Sequence, residues 1–463
     1  MATGVSKSAK PTIAHVEESL PSAAPVLCYD GKASTAEILS GEALELVPVA
    51  TFGQEPSGQL IWGENGAVLR TLLQDPTVRG QVRLVYIDPP YATDGVFETR
   101  TQAHAYSDTL TGSAYIEFLR RRLVLLRELL APDGSIYVHL DETMVFHAKL
   151  IMDEVFGPEN YRNCITRKKC NPKNYTRKTF GNIADYILFY TKSDTYVWNR
   201  AFDPWTDERA REYQYVDEKS GRRFMKVPVH APGTRNGATG GLWRGKSPPP
   251  GKHWQYPPER LDEMDARGEI YWSSNGNPRR KVYLDESPGV PVQDIWLDFK
   301  DAHNQNVRVS GYPTEKNADL LRRIVLASSN PGDTVLDCFA GSGTTLGVAS
   351  ELDRKWIGVD QGEEALRATV RRLLFGTEPM GDFVGVRGKN SSATKDTDGQ
   401  GMFAFATPSM PPVSKIHSER DLAHEKTFSR TSFKLDSTLV CRPAADRILR
   451  EFLDTVKRNG SCR

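Results

Sequence analysis

The chain has 463 residues, a formal net charge of +1 and 26% charged residues, enough to bury a large core and to hold two or three structural units. No apolar run reaches the roughly eighteen residues of a membrane span, and the first 25 residues mix Lys, Ser, Glu and Pro without the apolar core of a secretory signal. Six cysteines (Cys28, Cys164, Cys170, Cys338, Cys441, Cys462) form no CxxC pair, which argues against a zinc site and a disulfide framework and fits a reducing cytoplasm.

Residues 1–55, rich in Ser, Ala, Pro and Glu, read as a partly disordered leader. Regular patterning begins with the apolar run Leu60-Ile61-Trp62 and a helix over Gly66–Leu73. Val82–Ile87 reads as a buried strand that stops at Asp88-Pro89-Pro90, because two prolines cannot continue a central strand. A loop over 92–112 precedes a helix at Ala114–Leu130, with apolar residues at helical spacing, ended by the turn Pro132-Asp133-Gly134. Strands at Ser135–Leu140 and Tyr186–Tyr190 flank a helix at Met144–Phe156. From about 195 to 290 the periodicity decays and Gly, Pro, Arg and aromatics take over. It returns as a helix (Asp319–Ser328), a strand (Thr334–Cys338), a glycine turn (Gly341–Gly343), a helix to Leu352, a strand (Trp356–Asp360) and a helix (Glu363–Phe375). Lys389–Gly401 reads as a flexible linker, and Ala444–Val456 as a terminal helix. Alternating strands and helices predict an α/β fold with a doubly wound, mostly parallel sheet, interrupted by an insertion.

Two constellations carry chemistry. Asp88-Pro89-Pro90-Tyr91 follows a buried strand; Pro90 lacks a backbone donor and both prolines stiffen the turn, leaving the Asp88 carboxylate and the Pro89 carbonyl as fixed acceptors. Two such acceptors suit an amino group on an aromatic ring, whose lone pair they draw out of conjugation, and Tyr91 offers a stacking face. The second is Asp337-Cys338-Phe339-Ala340-Gly341-Ser342-Gly343 between a strand and a helix, with Asp360 ending the next strand. Glycines there let a ligand approach the backbone at a helix N-terminus, and Asp360 stands where an acid accepts hydrogen bonds from ribose hydroxyls. No Gly-Lys-Ser/Thr follows, so this is no phosphate-gripping loop. His139 and Asp141 at a strand end read as a satisfied sheet-edge cluster or, alternatively, as an acid/base or metal pair; no other grouping has metal spacing, and no metal is expected.

Charge is uneven. Between Tyr161 and Lys281 there are 24 Lys and Arg against 13 Asp and Glu, a net +11 that makes the rest of the chain acidic. Arg167-Lys168-Lys169, Lys173, Arg177-Lys178, Arg222-Arg223 and Arg279-Arg280-Lys281 are candidates for phosphate contacts, with a solvated face as the alternative for any one of them. Five of the eight tryptophans lie in the same stretch (Trp198, Trp205, Trp243, Trp254, Trp272), as a small core or as base contacts.

Together, Asp88–Tyr91 and Asp337–Gly343 resemble the amino-methyltransferases of bacterial restriction–modification systems. The order, with the catalytic string first, the basic segment next and the cofactor loop last, resembles the β class, whose class I methyltransferase Rossmann-like fold is circularly permuted; in style it is close to type III modification subunits. Tyr312-Pro313-Thr314-Glu315-Lys316-Asn317 is similar to the family's cofactor motif, with Asn317 where proline is usual, and Trp62-Gly63-Glu64-Asn65 to a string near the cofactor adenine, with Glu64 where Asp is usual; Tyr106-Ser107-Asp108 is similar to the loop after the catalytic motif. The resemblance implies S-adenosylmethionine as cofactor, held by Asp337, Cys338, Phe339, Ala340, Gly341, Gly343, Asp360, Thr314, Lys316 and Glu64, with Asp88, Pro89, Pro90 and Tyr91 catalytic. It divides the chain into a catalytic half (56–195), an inserted target-recognition region (196–300, its basic surface beginning near 161), a cofactor half (301–376) and a linker with C-terminal extension (377–463). The implied substrate is a base flipped out of duplex DNA. Asp88 leans toward adenine N6, with cytosine N4 as the alternative; an RNA or protein-amide methyltransferase, or a non-catalytic DNA-binding specificity subunit, are the rivals. A homodimer and a separate restriction subunit are partners in keeping with the family, and a membrane is not.

Overall fold

Val82–Ile87 is apolar at every position but Arg83, the composition of a strand covered on both faces, and in a computed structural model it lies inside a ten-stranded sheet. The structure describes residues 26–52, 57–90, 96–98, 104–107, 112–172, 178–208, 210–301, 308–309, 315–376, 378–379, 404–405, 437–441 and 454. From one edge the order is Val47–Phe52, Ser437–Cys441, Gly58–Trp62, Lys355–Asp360, Thr334–Asp337, Val82–Ile87, Leu130–Leu140, Ala184–Thr191, Tyr161–Lys168 and Ile295–Trp296. The run from Ser437–Cys441 to Leu130–Leu140 is parallel throughout, and Ala184–Thr191 is antiparallel to both its neighbours.

The two halves of the chain cover opposite faces. Asn65–Leu72, Gly112–Leu129 and Val145–Phe156 contribute Val68, Leu69, Leu119, Leu123, Leu126 and Ile151 to one core. Ala318–Ser328, Thr344–Glu351 and Glu363–Phe375 contribute Leu320, Ile324, Leu346, Leu366 and Val370 to the other. Thr334–Asp337 and Val82–Ile87 are therefore hydrogen-bonded neighbours although they are far apart in sequence, with Val335 opposite Leu84 and Leu336 opposite Val85. The chain leaves the first toward Lys355–Asp360 and the second toward Leu130–Leu140, so their carboxyl ends open a crevice at a topological switch point. Among the described residues no helix is long and apolar enough to cross a membrane.

Several expectations are corrected. Residues 26–52, read as leader, contain a short helix (Thr35–Leu39) and the edge strand Val47–Phe52, with Ala33 and Ile38 in the main core. Ser437–Cys441, in a stretch with no readable role, fills the sheet between Val47–Phe52 and Gly58–Trp62. The turn at Pro132-Asp133-Gly134 lies within the strand Leu130–Leu140, where pairing with Val82–Ile87 jumps from Leu130 to Ser135. Strands Val96–Glu98 and His104–Ser107 pair inside the expected loop. Tyr161–Lys168, expected as the start of a basic surface, belongs to the sheet; polar residues dominate it, and one of them, Arg167, is fully buried there. The Lys389–Gly401 linker and, apart from Asp454, the Ala444–Val456 helix lie outside the described residues.

Within the irregular stretch, Tyr215–Val216, Arg223–Pro228, Pro278–Tyr283 and Ile270–Trp272 form a separate antiparallel sheet. Beside it Val229, Trp243, Trp254, Leu261, Met264 and Ile270 make a small core. Trp272 stacks on Trp243 at 5.1 Å between ring centroids. Three of the five tryptophans are thereby spent on packing, while Trp198 remains 50% exposed.

Candidate functional site

The Val82–Ile87 strand delivers Asp88, Pro89 and Pro90 to the crevice; Tyr91 lies outside the described residues. Asp88 is mostly covered, and Lys316 Nζ sits 2.6 Å from its Oδ2. Lys316, expected as a cofactor contact, thus reaches across and orients the carboxylate of the other motif. Of the segment that carries it, Tyr312–Thr314 are outside the described residues. Asn317, where the family has proline, caps the helix Ala318–Ser328 by accepting from the Asp319 amide at 2.8 Å.

On the adjoining strand Asp337 is 2% exposed; its carboxylate accepts from the Phe339 amide at 3.0 Å and the Thr345 hydroxyl at 2.6 Å. Burial, with Asp88 and Asp360 nearby, pushes its pKa up to about 7 despite those two donors. The turn that follows passes Gly341 (φ 51°) and Gly343 (φ 71°), left-handed conformations that disfavour any side chain. A Cβ at Gly343 would stand 2.7 Å from Thr369 Cγ2. Gly343 caps the helix Thr344–Glu351 without a side-chain acceptor, which leaves the helix N-terminus facing the turn. Asp360 accepts from the Gly341 and Gly362 amides, each at 2.8 Å, and its pKa is likewise raised by burial. Ala340 donates its amide to Val359.

The first half of the chain supports this turn from the other side. Glu64 caps the helix Asn65–Leu72 by accepting from the Gly66 and Ala67 amides and pairs with Arg122. Against the opposing effect of burial, these partners hold its carboxyl below the usual range. Asn65 donates to the Cys338 carbonyl at 2.9 Å and accepts from Arg122 Nε at 2.8 Å. The Arg122 guanidinium covers Phe118, whose ring lies 6.0 Å from Phe339. On the far side Arg372 donates to the Ser342 carbonyl at 2.7 Å and pairs with buried Glu315. Arg122 and Arg372 were not picked out in sequence, although each is a charge on the apolar stripe of its helix, beside Leu119 and Leu126 or Thr369 and Leu373.

His139 and Asp141 do not act together. Asp141 caps the turn into Val145–Phe156, accepting from the Thr143 and Met144 amides. His139 is fully buried between Tyr86 and Asp185.

The basic candidates separate into two groups. Arg167 has no exposed surface; it donates to Asp185, Asp301 and the Phe299 carbonyl, so it is structural and no phosphate reaches it. Lys169 pairs with Asp185, Lys281 with Asp217, and Arg222 with Asp285 and Glu286. Arg223 donates to backbone carbonyls and Arg280 to Tyr256. Each of these charges has a partner within the fold, and three of the acidic ones, Asp285, Glu286 and Asp301, come from beyond the basic stretch. Lys178 and Arg279 are exposed and Lys168 is half-buried; Lys173 and Arg177 lie outside the described residues.

A family model described as DNA methylase (N6_N4_Mtase) matches residues 82–371. The chain is 46% identical over 414 residues to the type II methyltransferase M.EcaI of Enterobacter cloacae, covering 86% of this chain and 89% of that one. It is 26% identical to the StyLTI Mod subunit, a type III restriction-modification enzyme of Salmonella typhimurium, over 61% of this chain and 48% of that one. With the DNA adenine methyltransferase YhdJ of Escherichia coli it shares 42% identity over 97 residues, 21% of this chain and 31% of that one.

Proposed function

The chain belongs to this DNA methylase family, and from that premise we propose that it methylates the N6 amino group of adenine in duplex DNA, using S-adenosylmethionine. The observation that carries the reading is the crevice itself. The Asp88-Pro89-Pro90 turn and the Asp337–Gly343 turn leave adjacent parallel strands at the switch point, one with acceptors for an amino group and the other shaped for a small ligand.

The residues of the turn fit the cofactor. Asp337 and Asp360 are carboxylates whose charge burial disfavours, so a ligand bringing positive charge and hydroxyl donors relieves them; a phosphate does not. Glu64, Asn65, Arg122, Arg372 and Thr369 fix the turn around that ligand. When bound, S-adenosylmethionine supplies an electrophilic methyl group. Asp88 and the Pro89 carbonyl accept the two N–H bonds of the adenine amino group and turn its lone pair outward. Lys316 keeps the Asp88 carboxylate in one orientation, so alignment contributes much of the rate. Flipping the base out of the stack costs a few kcal/mol. Lys178, exposed before the strand Ala184–Thr191, and Arg279, exposed on the irregular segment, are the phosphate contacts that offset it.

The choice of adenine is supported by Asp88 at the head of the catalytic string and by the stated activity of the YhdJ relative. The test is incubation of a duplex DNA library with methyl-labelled cofactor, followed by nucleoside analysis. Labelled N6-methyladenine is the expected product; labelled N4-methylcytosine alone overturns the adenine reading, and no label overturns methyl transfer to DNA.

A further inference from the structure

Behind Asp88 lies a chain of buried polar side chains that the reaction as described does not use. Tyr86 is 1% exposed, His139 and Arg167 are fully buried, and Asp185 is 3% exposed. The Tyr86 hydroxyl lies 2.8 Å from His139 Nδ1, and His139 Nε2 faces Asp185 Oδ2 at 3.4 Å. With the imidazole proton on Nε2, the side of the Asp185 carboxylate, the Tyr86 hydroxyl is the donor to Nδ1. Burial holds the imidazole neutral by lowering its pKa.

The chain closes into a ring. Arg167 donates to Asp185 Oδ2 at 3.1 Å, to the Phe299 carbonyl at 2.7 Å and to Asp301 at 2.6 Å. Asn317 Nδ2 donates to the neighbouring Lys300 carbonyl at 3.3 Å, and Lys316, one residue earlier, pairs with Asp88. Asp88 stands two residues after Tyr86, where the path began. Four strands of the sheet and the segment entering the helix Ala318–Ser328 thus each contribute a side chain to this path.

Burying this many polar groups is a poor way to gain stability, since well-packed apolar residues of similar volume do as well or better. What such a ring provides is a fixed geometry. We propose that it is a positioning device for methyl transfer, in which Tyr86 and His139 are positioning residues that hold the Asp88–Pro89 turn against the frame set by Arg167 and Asp185. The proposal rests on the methyltransferase reading above for its functional consequence, while its structural part concerns the protein without ligands.

The test compares Tyr86→Phe, His139→Leu and His139→Gln with the wild-type chain. Tyr86→Phe is nearly isosteric, so it keeps the question decidable should His139→Leu fail to fold. In Tyr86→Phe and His139→Leu, kcat is expected to fall about 10- to 100-fold, while cofactor affinity and the KM for DNA stay within about twofold. Glutamine both accepts and donates, so His139→Gln restores kcat to within about threefold of wild type. Amide hydrogen exchange of the 82–90 segment, measured without cofactor or DNA, is expected to accelerate about tenfold in Tyr86→Phe at Ile87 and Asp88. The proposal is overturned by unchanged exchange in Tyr86→Phe, by a kcat for that variant within about twofold of wild type, or by equal loss in His139→Gln and His139→Leu with cofactor affinity falling in parallel. A wild-type protein that transfers no methyl group defeats the methyltransferase reading instead, and the exchange measurement still decides the ring.

Discussion

An alanine at position 343 meets two separate penalties, and the structure allows them to be measured apart. At φ 71° the backbone is left-handed, which costs a residue with a Cβ about 1–2 kcal/mol. The new Cβ also stands 2.7 Å from both Cγ2 and Oγ1 of Thr369 and 3.0 Å from its Cβ, well inside van der Waals contact. Thr369 cannot simply retreat, because its helix is tied to the turn by Arg372 and by its own hydroxyl, which donates to the Gly341 carbonyl at 3.0 Å. Overpacking of this kind costs about 1–3 kcal/mol, so Gly343→Ala should lose roughly 2–5 kcal/mol in all. Thr369→Ala alone should lose about 1 kcal/mol with its hydrogen bond. In the Thr369→Ala background the two nearest atoms are gone, and Gly343→Ala should cost mainly its conformational part, about 1–2 kcal/mol, with a smaller clash against the Cβ that remains at 3.0 Å. Urea unfolding of the four proteins yields a coupling free energy of about 1–3 kcal/mol. An equal cost of Gly343→Ala in both backgrounds, or a cost below about 0.5 kcal/mol in the first, refutes the close packing of turn and helix.

Replacing Asp88 by Asn should lower kcat by at least about 100-fold with cofactor and DNA affinity nearly unchanged, read by single-turnover transfer and equilibrium binding. Asp337, at about 7, titrates above its unfolded value of 3.8, so the folded state binds the extra proton between these limits. Folded stability from this group is full below pH 3.8 and is lost as pH rises through about 7, by at most about 4 kcal/mol. Thermal melts from pH 5 to 8 should show a decline that Asp337→Asn lacks, and added S-adenosylmethionine should raise the melting temperature more at about pH 8 than at about pH 6. Arg372→Met removes the buried ion pair with Glu315, which is 5% exposed, and the hydrogen bond to the Ser342 carbonyl, and should cost about 3–5 kcal/mol in urea unfolding. Arg279→Gln should weaken binding to unrelated duplexes alike and reduce the salt dependence of binding by about one ion; a loss confined to one sequence would make it a base reader.

Much of the site was legible because its parts are local. A strand that must stop at two prolines, and a turn that must pass Gly341 and Gly343 at positive φ, are written in consecutive residues, and so is their order along the chain. Boundaries of the helices that carry apolar stripes came within a residue or two for the same reason, as at Glu363–Phe375. Tyr161–Lys168 escaped because Arg162, Asn163, Thr166, Arg167 and Lys168 make it read as surface, whereas Arg167 is buried against Asp185 and Asp301, partners supplied only by the fold. Ser437–Cys441 escaped because nothing local marks a short strand whose partners lie almost four hundred residues away.

By itself, then, the amino-acid sequence determined which residue types stand at two strand ends and which chemistry they suit. Only the tertiary structure decided what those residues face. That Arg167 lies against Asp185, Lys316 against Asp88 and Glu64 against Arg122 is a matter of long-range pairing. A charge is assigned by its nearest opposite charge in space, and interactions of that kind fall off over a few ångströms whatever the separation along the chain. The crevice that brings Asp88 beside Asp337 exists because two distant strands share a ladder of backbone hydrogen bonds, and no residue of either strand specifies the other alone.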